Sequence, residues 1–67
     1  MKVIEQAYWS IQRTEDGRGY DEMFQINDPD QELSEEDAFH LAAQTDDQIN
    51  KYPQFFRARR KTRKVLV

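Results

Sequence analysis

Arg57, Arg59, Lys61 and Arg63 alternate near the end of the chain, with Arg60 between them. In an extended strand such residues share one face about 7 Å apart, close to the phosphate spacing of single-stranded nucleic acid. Guanidinium groups also grip carboxylates with two parallel hydrogen bonds, so an acidic protein surface suits them equally well. Two intramolecular uses compete with these: neutralising the chain's own acids, or keeping an edge strand from aggregating. Tyr8 projects from an earlier strand, on the face opposite Trp9, where an exposed ring can stack against a partner. Arg57, Arg59, Arg60, Lys61, Arg63 and Tyr8 are therefore the candidate contact residues.

Other chemistry is poorly provided for. Asp28-Pro29-Asp30-Gln31-Glu32 begins like a calcium loop, but Leu33 stands where that loop needs its glycine and Phe39 where it needs its last carboxylate. His40 is the only histidine, and Glu36, one helical turn earlier, is placed to pair with it. Ser34 suits a helix cap better than a nucleophile. There is no cysteine, two-histidine spacing, glycine-rich phosphate loop or nucleophile elbow. The expectation is a protein that is not an enzyme, with no catalytic residue, no metal and no cofactor.

Charge is strongly segregated. All 13 acidic residues lie between Glu5 and Asp47, whereas seven of the ten basic ones lie from Lys51 onward. Residues 1–50 thus carry −10 and residues 51–67 carry +7, for a net of −3. One surface then suits cations and another anions, which favours function by contact. The acids also cluster where helix starts want them, so a solvated capping role explains them without a partner. At 67 residues the chain is one domain, 1–67, with a thin core and little room for a deep substrate cavity. No apolar run resembles a signal peptide or membrane span, and a cytoplasmic location with no membrane association is expected.

The elements that must position these residues follow from period and punctuation. Val3–Arg13 alternates, with Ala7, Trp9 and Ile11 on one side and Tyr8, Ser10 and Gln12 on the other, as a half-buried strand does. Asp16-Gly17 signals a two-residue hairpin turn. Residues 19–27 form the second strand, with Tyr20, Phe24 and Ile26 on one face. A two-residue turn pairs Trp9 with Phe24, Ala7 with Ile26, Arg13 with Tyr20 and Glu15 with Arg18. It also pairs Ile11 with Glu22, a mismatch that either edge exposure or a bulge near Met23 would explain. Ser34 then caps a helix over residues 35–52, whose stripe is Ala38, Leu41, Ala42, Thr45, Ile49 and Tyr52. Thr45-Asp46-Asp47-Gln48 is a second capping box at which this helix can divide. Residues 54–67 read better as a strand than as a helix, because Val65-Leu66-Val67 is β-prone and two strands alone rarely stand in water. The expected fold is a small α+β domain, an antiparallel β-β-α-β sheet with one helix on its apolar face.

This layout resembles the very small proteins by which bacteriophages disable host machines, including anti-CRISPR proteins and inhibitors of bacterial RNA polymerase. The matching stretches are the strands at residues 8–13 and 20–26, the helix at 34–52 and the basic strand at 57–65. The likeness is one of size and layout, without a diagnostic motif. It implies a phage-encoded inhibitor or adaptor that docks on a host protein or ribonucleoprotein complex, with no cofactor. Direct RNA or DNA binding through the basic strand is the alternative function. A structural subunit is a third reading, and either a monomer or a homodimer is compatible with the sequence.

Overall fold

Strand β1 (Val3–Arg13) runs between β2 (Asp21–Asn27) and β3 (Phe56–Leu66), both antiparallel to it. The computed structural model describes residues 1–67. Between β2 and β3 the chain forms α1 (Glu35–Thr45), α2 (Asp47–Lys51) and a 3-10 turn at Pro53–Phe55. This is the expected small α+β fold, a three-stranded antiparallel sheet with its helix on one face. The last segment is a strand, as its composition favours, and it begins at Phe56 because Pro53 first opens a tight turn closed by the Phe56 N–H on the Pro53 carbonyl.

The hairpin forms, but Asp16-Gly17 does not close it as a two-residue turn. Residues 14–20 make a longer loop, and the pairing is displaced by two, with Trp9 opposite Ile26 and Ile11 opposite Phe24. A displacement of two keeps every side chain on its face. It also gives Ile11, which is 0% exposed, an apolar neighbour instead of Glu22. Beyond Phe24 the register shifts around Met23, so that Gln12 faces Glu22 and Arg13 faces Asp21. The loop has its own hydrogen bonds. The Asp16 carboxylate accepts the N–H groups of Arg18 and Gly19, and Thr14 Oγ1 accepts that of Gly17. Gly17 takes φ +79°, a conformation that favours glycine. On the other side of β1, the Thr14 N–H donates to Phe55 O and prolongs the pairing with β3.

Ser34 caps α1 through a reciprocal pair with Asp37, and Glu35, Glu36 and Asp37 occupy the positive end of the helix dipole. The helix divides at Asp46, whose carboxylate accepts the Gln48 N–H to start α2. Thr45, at the head of the expected second capping box, instead donates its hydroxyl to the Leu41 carbonyl. The buried stripe is made of Ala38, Ala42, Ala43 and Ile49, whereas Leu41 and Tyr52 are 39% and 47% exposed. These small residues bring the helix close to the sheet, where Trp9, Ile11, Phe56 and Ala58 complete the core.

Asp28 fixes the connection from β2 to α1. Its buried carboxylate accepts the indole N–H of Trp9 and the backbone N–H groups of Glu32 and Leu33. The start of the supposed calcium loop is therefore a structural anchor. Beyond Ala7, to which the Asp28 N–H donates, the first residues of β1 pair only with the end of β3, as a two-stranded ribbon along the 43 Å long axis. No helix is long and apolar enough to cross a membrane.

Candidate partner-binding face

Alternation along two paired strands decides which side chains share the sheet face away from α1. On β1 these are Gln6, Tyr8, Ser10 and Gln12, and opposite them on β3 stand Arg63, Lys61, Arg59 and Arg57 in the same order. Four cations and Tyr8 of the candidate set are thus brought together on one uncovered face. Arg60 is not among them. It points to the helix side, where its guanidinium lies 4.8 Å from the Trp9 ring and donates to the Leu33 carbonyl at 2.8 Å.

Two of the β3 cations on the uncovered face, Arg57 and Arg63, are hydrogen-bonded to neutral side chains. Arg57 Nε donates to Gln12 Oε1 at 2.7 Å, and its guanidinium carbon sits 3.6 Å from the centre of the Tyr20 ring. Arg63 donates to Gln25 and Asn27, each at 2.6 Å, and more loosely to Gln6 at 3.4 Å. Its guanidinium also lies 5.0 Å from the Tyr8 ring. Arg59 and Lys61 are exposed and make no side-chain hydrogen bond or ion pair. The one ion pair of the molecule joins Lys51 to Asp47 on α2, far from this cluster in sequence and on another element. The arginines are therefore held in place without losing their charge.

One carboxylate shares the face, that of Glu22. Hydrogen bonds from Ser10 and then Gln25 hold it below the usual glutamate value, with Lys61 and Arg63 adding attraction. Sequence periodicity misses Glu22 and Tyr20 as members of this face, because the extra residue at Met23 reverses which side the preceding residues take. It misses the amides for another reason. Gln6, Gln12, Gln25 and Asn27 reveal their role only once three strands stand side by side. Ser10 and Gln12 are buried although no helix covers them, with Gln12 Nε2 donating to Ser10 Oγ beneath Arg57.

The opposite side carries a different surface. An open groove of about 810 Å³ lies between α1, α2 and the start of β3, bordered by Glu36, Phe39, His40, Asn50, Phe56 and Ala58. Glu36 and His40, paired by their spacing, form no ion pair there. No group of three or more histidine, aspartate or glutamate side chains converges in a metal-binding arrangement. In comparisons with protein families, curated proteins and solved structures, nothing matches this chain.

Proposed function

We propose that the protein is a non-enzymatic inhibitor or adaptor that docks its uncovered basic face on an acidic surface of a protein partner, within a nucleic-acid-handling complex of a host cell. The observation that carries this reading is that amides and rings, and no ion pair, hold Arg57 and Arg63 on a face that bears the single carboxylate of Glu22. Arg57 and Arg63 are oriented by Gln12, Gln25 and Asn27, while Arg59 and Lys61 between them are free. A pre-oriented guanidinium loses less entropy when it meets a carboxylate, which favours tight and directional contact. The acidic residues of α1 lie on the other side of the sheet and keep anionic partners away from that side.

The test begins with affinity capture from host lysate and identification of the partner by mass spectrometry. The double reversal Arg59→Glu/Lys61→Glu should then weaken the complex, and added salt should weaken it as well. Binding that is indifferent to the double reversal overturns the reading. Direct binding of single-stranded RNA or DNA is the second reading, favoured by the presence of Tyr8 and Tyr20 among the same cations. Anisotropy of a labelled oligonucleotide at two salt concentrations distinguishes it, since counterion release makes that affinity fall steeply with salt.

A further inference from the structure

The outer edge of β3 has no partner strand, and its hydrogen-bonding pattern can be assigned residue by residue. Lys2 and Val67 exchange both backbone hydrogen bonds, and the Thr14 N–H donates to Phe55 O. In an antiparallel ladder such pairs alternate with pairs that exchange none. The odd-numbered residues of β3 therefore point their N–H and C=O groups at β1, and the even-numbered ones point them outward. Arg60, Thr62 and Lys64 thus present a row of free donors and acceptors, and all three are exposed.

We infer that this edge receives an extended acidic segment of the partner protein, which adds to the sheet as a fourth strand beside β3. The assignment rests on the docking reading above and supplies its geometry. Charge selects the occupant. A second copy of β3 laid antiparallel along this edge would set arginines and lysines against arginines and lysines, which opposes pairing. The other open edges belong to β2, which is shorter and interrupted at Met23 as protected edges are, and to the short overhang of β1 before Ala7. A foreign strand with carboxylates at every second position places them beside Arg59, Lys61 and Arg63 on the uncovered face. Its intervening residues fall beside Arg60, Thr62 and Lys64 on the helix side. Main-chain bonds then give affinity and the alternate carboxylates give specificity.

The probe is a synthetic peptide alternating glutamate with valine, added to the full chain and followed by calorimetry and amide exchange. Binding should slow exchange at the Arg60, Thr62 and Lys64 amides. The same peptide N-methylated at alternate residues should not bind, and one alternating lysine with valine should not bind either. Thr62→Pro removes an outward N–H that the fold does not use, so it should weaken peptide binding roughly tenfold, the scale of one lost hydrogen bond to a strand. Amide exchange on the unmodified protein keeps the test decisive if the proline variant fails to fold. The inference is overturned if the glutamate peptide does not bind, if those three amides stay unprotected, or if the N-methylated peptide binds as well. A dimer by light scattering in which the Arg60, Thr62 and Lys64 amides are already protected without peptide also overturns it. Partner binding that survives Thr62→Pro yet is lost in Arg59→Glu/Lys61→Glu rejects strand addition and keeps the docking face; binding indifferent to both rejects the face itself.

Discussion

The indole Nε1 of Trp9 donates to Oδ2 of Asp28 at 3.2 Å, with both residues buried. This bond joins the central strand to the loop that delivers α1, and the same carboxylate accepts the N–H groups of Glu32 and Leu33. Asp28→Ala leaves a buried indole N–H and two backbone donors to find other partners. Such losses cost about 2–4 kcal/mol when they add to one another, a large share of the stability of a domain this small. Urea denaturation followed by Trp9 fluorescence should show the midpoint falling. Asp28→Asn should cost less, because one amide oxygen can still accept. An alanine variant within 0.5 kcal/mol of the parent (about the noise of a neutral surface change) would remove Asp28 from the role assigned to it.

The helix packs through alanines, which gives a paired prediction. Ala42 is fully buried against the sheet, so Ala42→Leu forces extra volume into closed space and should cost about 1–3 kcal/mol. Leu41 stands on the outer flank at 39% exposure, so Leu41→Gln should be nearly neutral. Thermal melts of the two variants check the orientation of α1. The opposite ranking would mean that the helix is rotated by one residue about its axis.

That pair also shows where sequence and structure part company. Period two correctly separated Trp9 and Ile11 from Tyr8, Ser10 and Gln12, because a strand has only two faces and one of them must bury a tryptophan. Ser34 was legible as a cap for the local reason that its side chain answers an amide three residues away. Leu41 misled, since hydrophobicity alone cannot tell a leucine on the flank from an alanine beneath it when the helix must approach closely. Asp16-Gly17 misled similarly. Its turn chemistry is real, but Ile11 pairs with Phe24 and Trp9 with Ile26, a register two residues longer than that turn allows. Tyr20 was assigned to the core side by counting through Met23, and a single bulged residue reverses every assignment behind it. The alternation of the β3 cations was legible in advance. Their amide partners were not, because Gln25 and Asn27 reach Arg63 only across the intervening β1.

Tyr20 and Arg57 offer a direct measure of how firmly the uncovered face is organised. The guanidinium sits 3.6 Å from the ring centre, a close stacking distance, and Gln12 holds its Nε. A double-mutant cycle with Tyr20→Ala and Arg57→Ala should give a coupling of about 0.5–1 kcal/mol, the usual value for a partly exposed cation–π pair. Gln12→Leu should reduce this coupling by freeing the guanidinium to leave the ring. Additive single mutants would show that the stacked arrangement contributes nothing to stability.

Glu22 gives the face a pH signature. Its carboxyl lies below the ordinary glutamate value of 4.5 because the Ser10 hydroxyl and then Gln25 hydrogen-bond the ionised form, and because Lys61 and Arg63 attract it. A group whose folded pKa is depressed stabilises the fold at pH values above the unfolded one, and that contribution disappears as pH falls through the folded pKa. The stability difference between the parent and Glu22→Gln should therefore be present above pH 4.5 and shrink on acidification below it. Carboxyl titration by NMR should place the Glu22 midpoint under 4.5, and Ser10→Ala should move it upward more than added salt does. Salt screens Lys61 and Arg63, which act through charge on a group open to solvent, but leaves the Ser10 hydrogen bond in place. A midpoint that salt restores fully, with no response to Ser10→Ala, would mean that the β3 cations alone set the titration of this face.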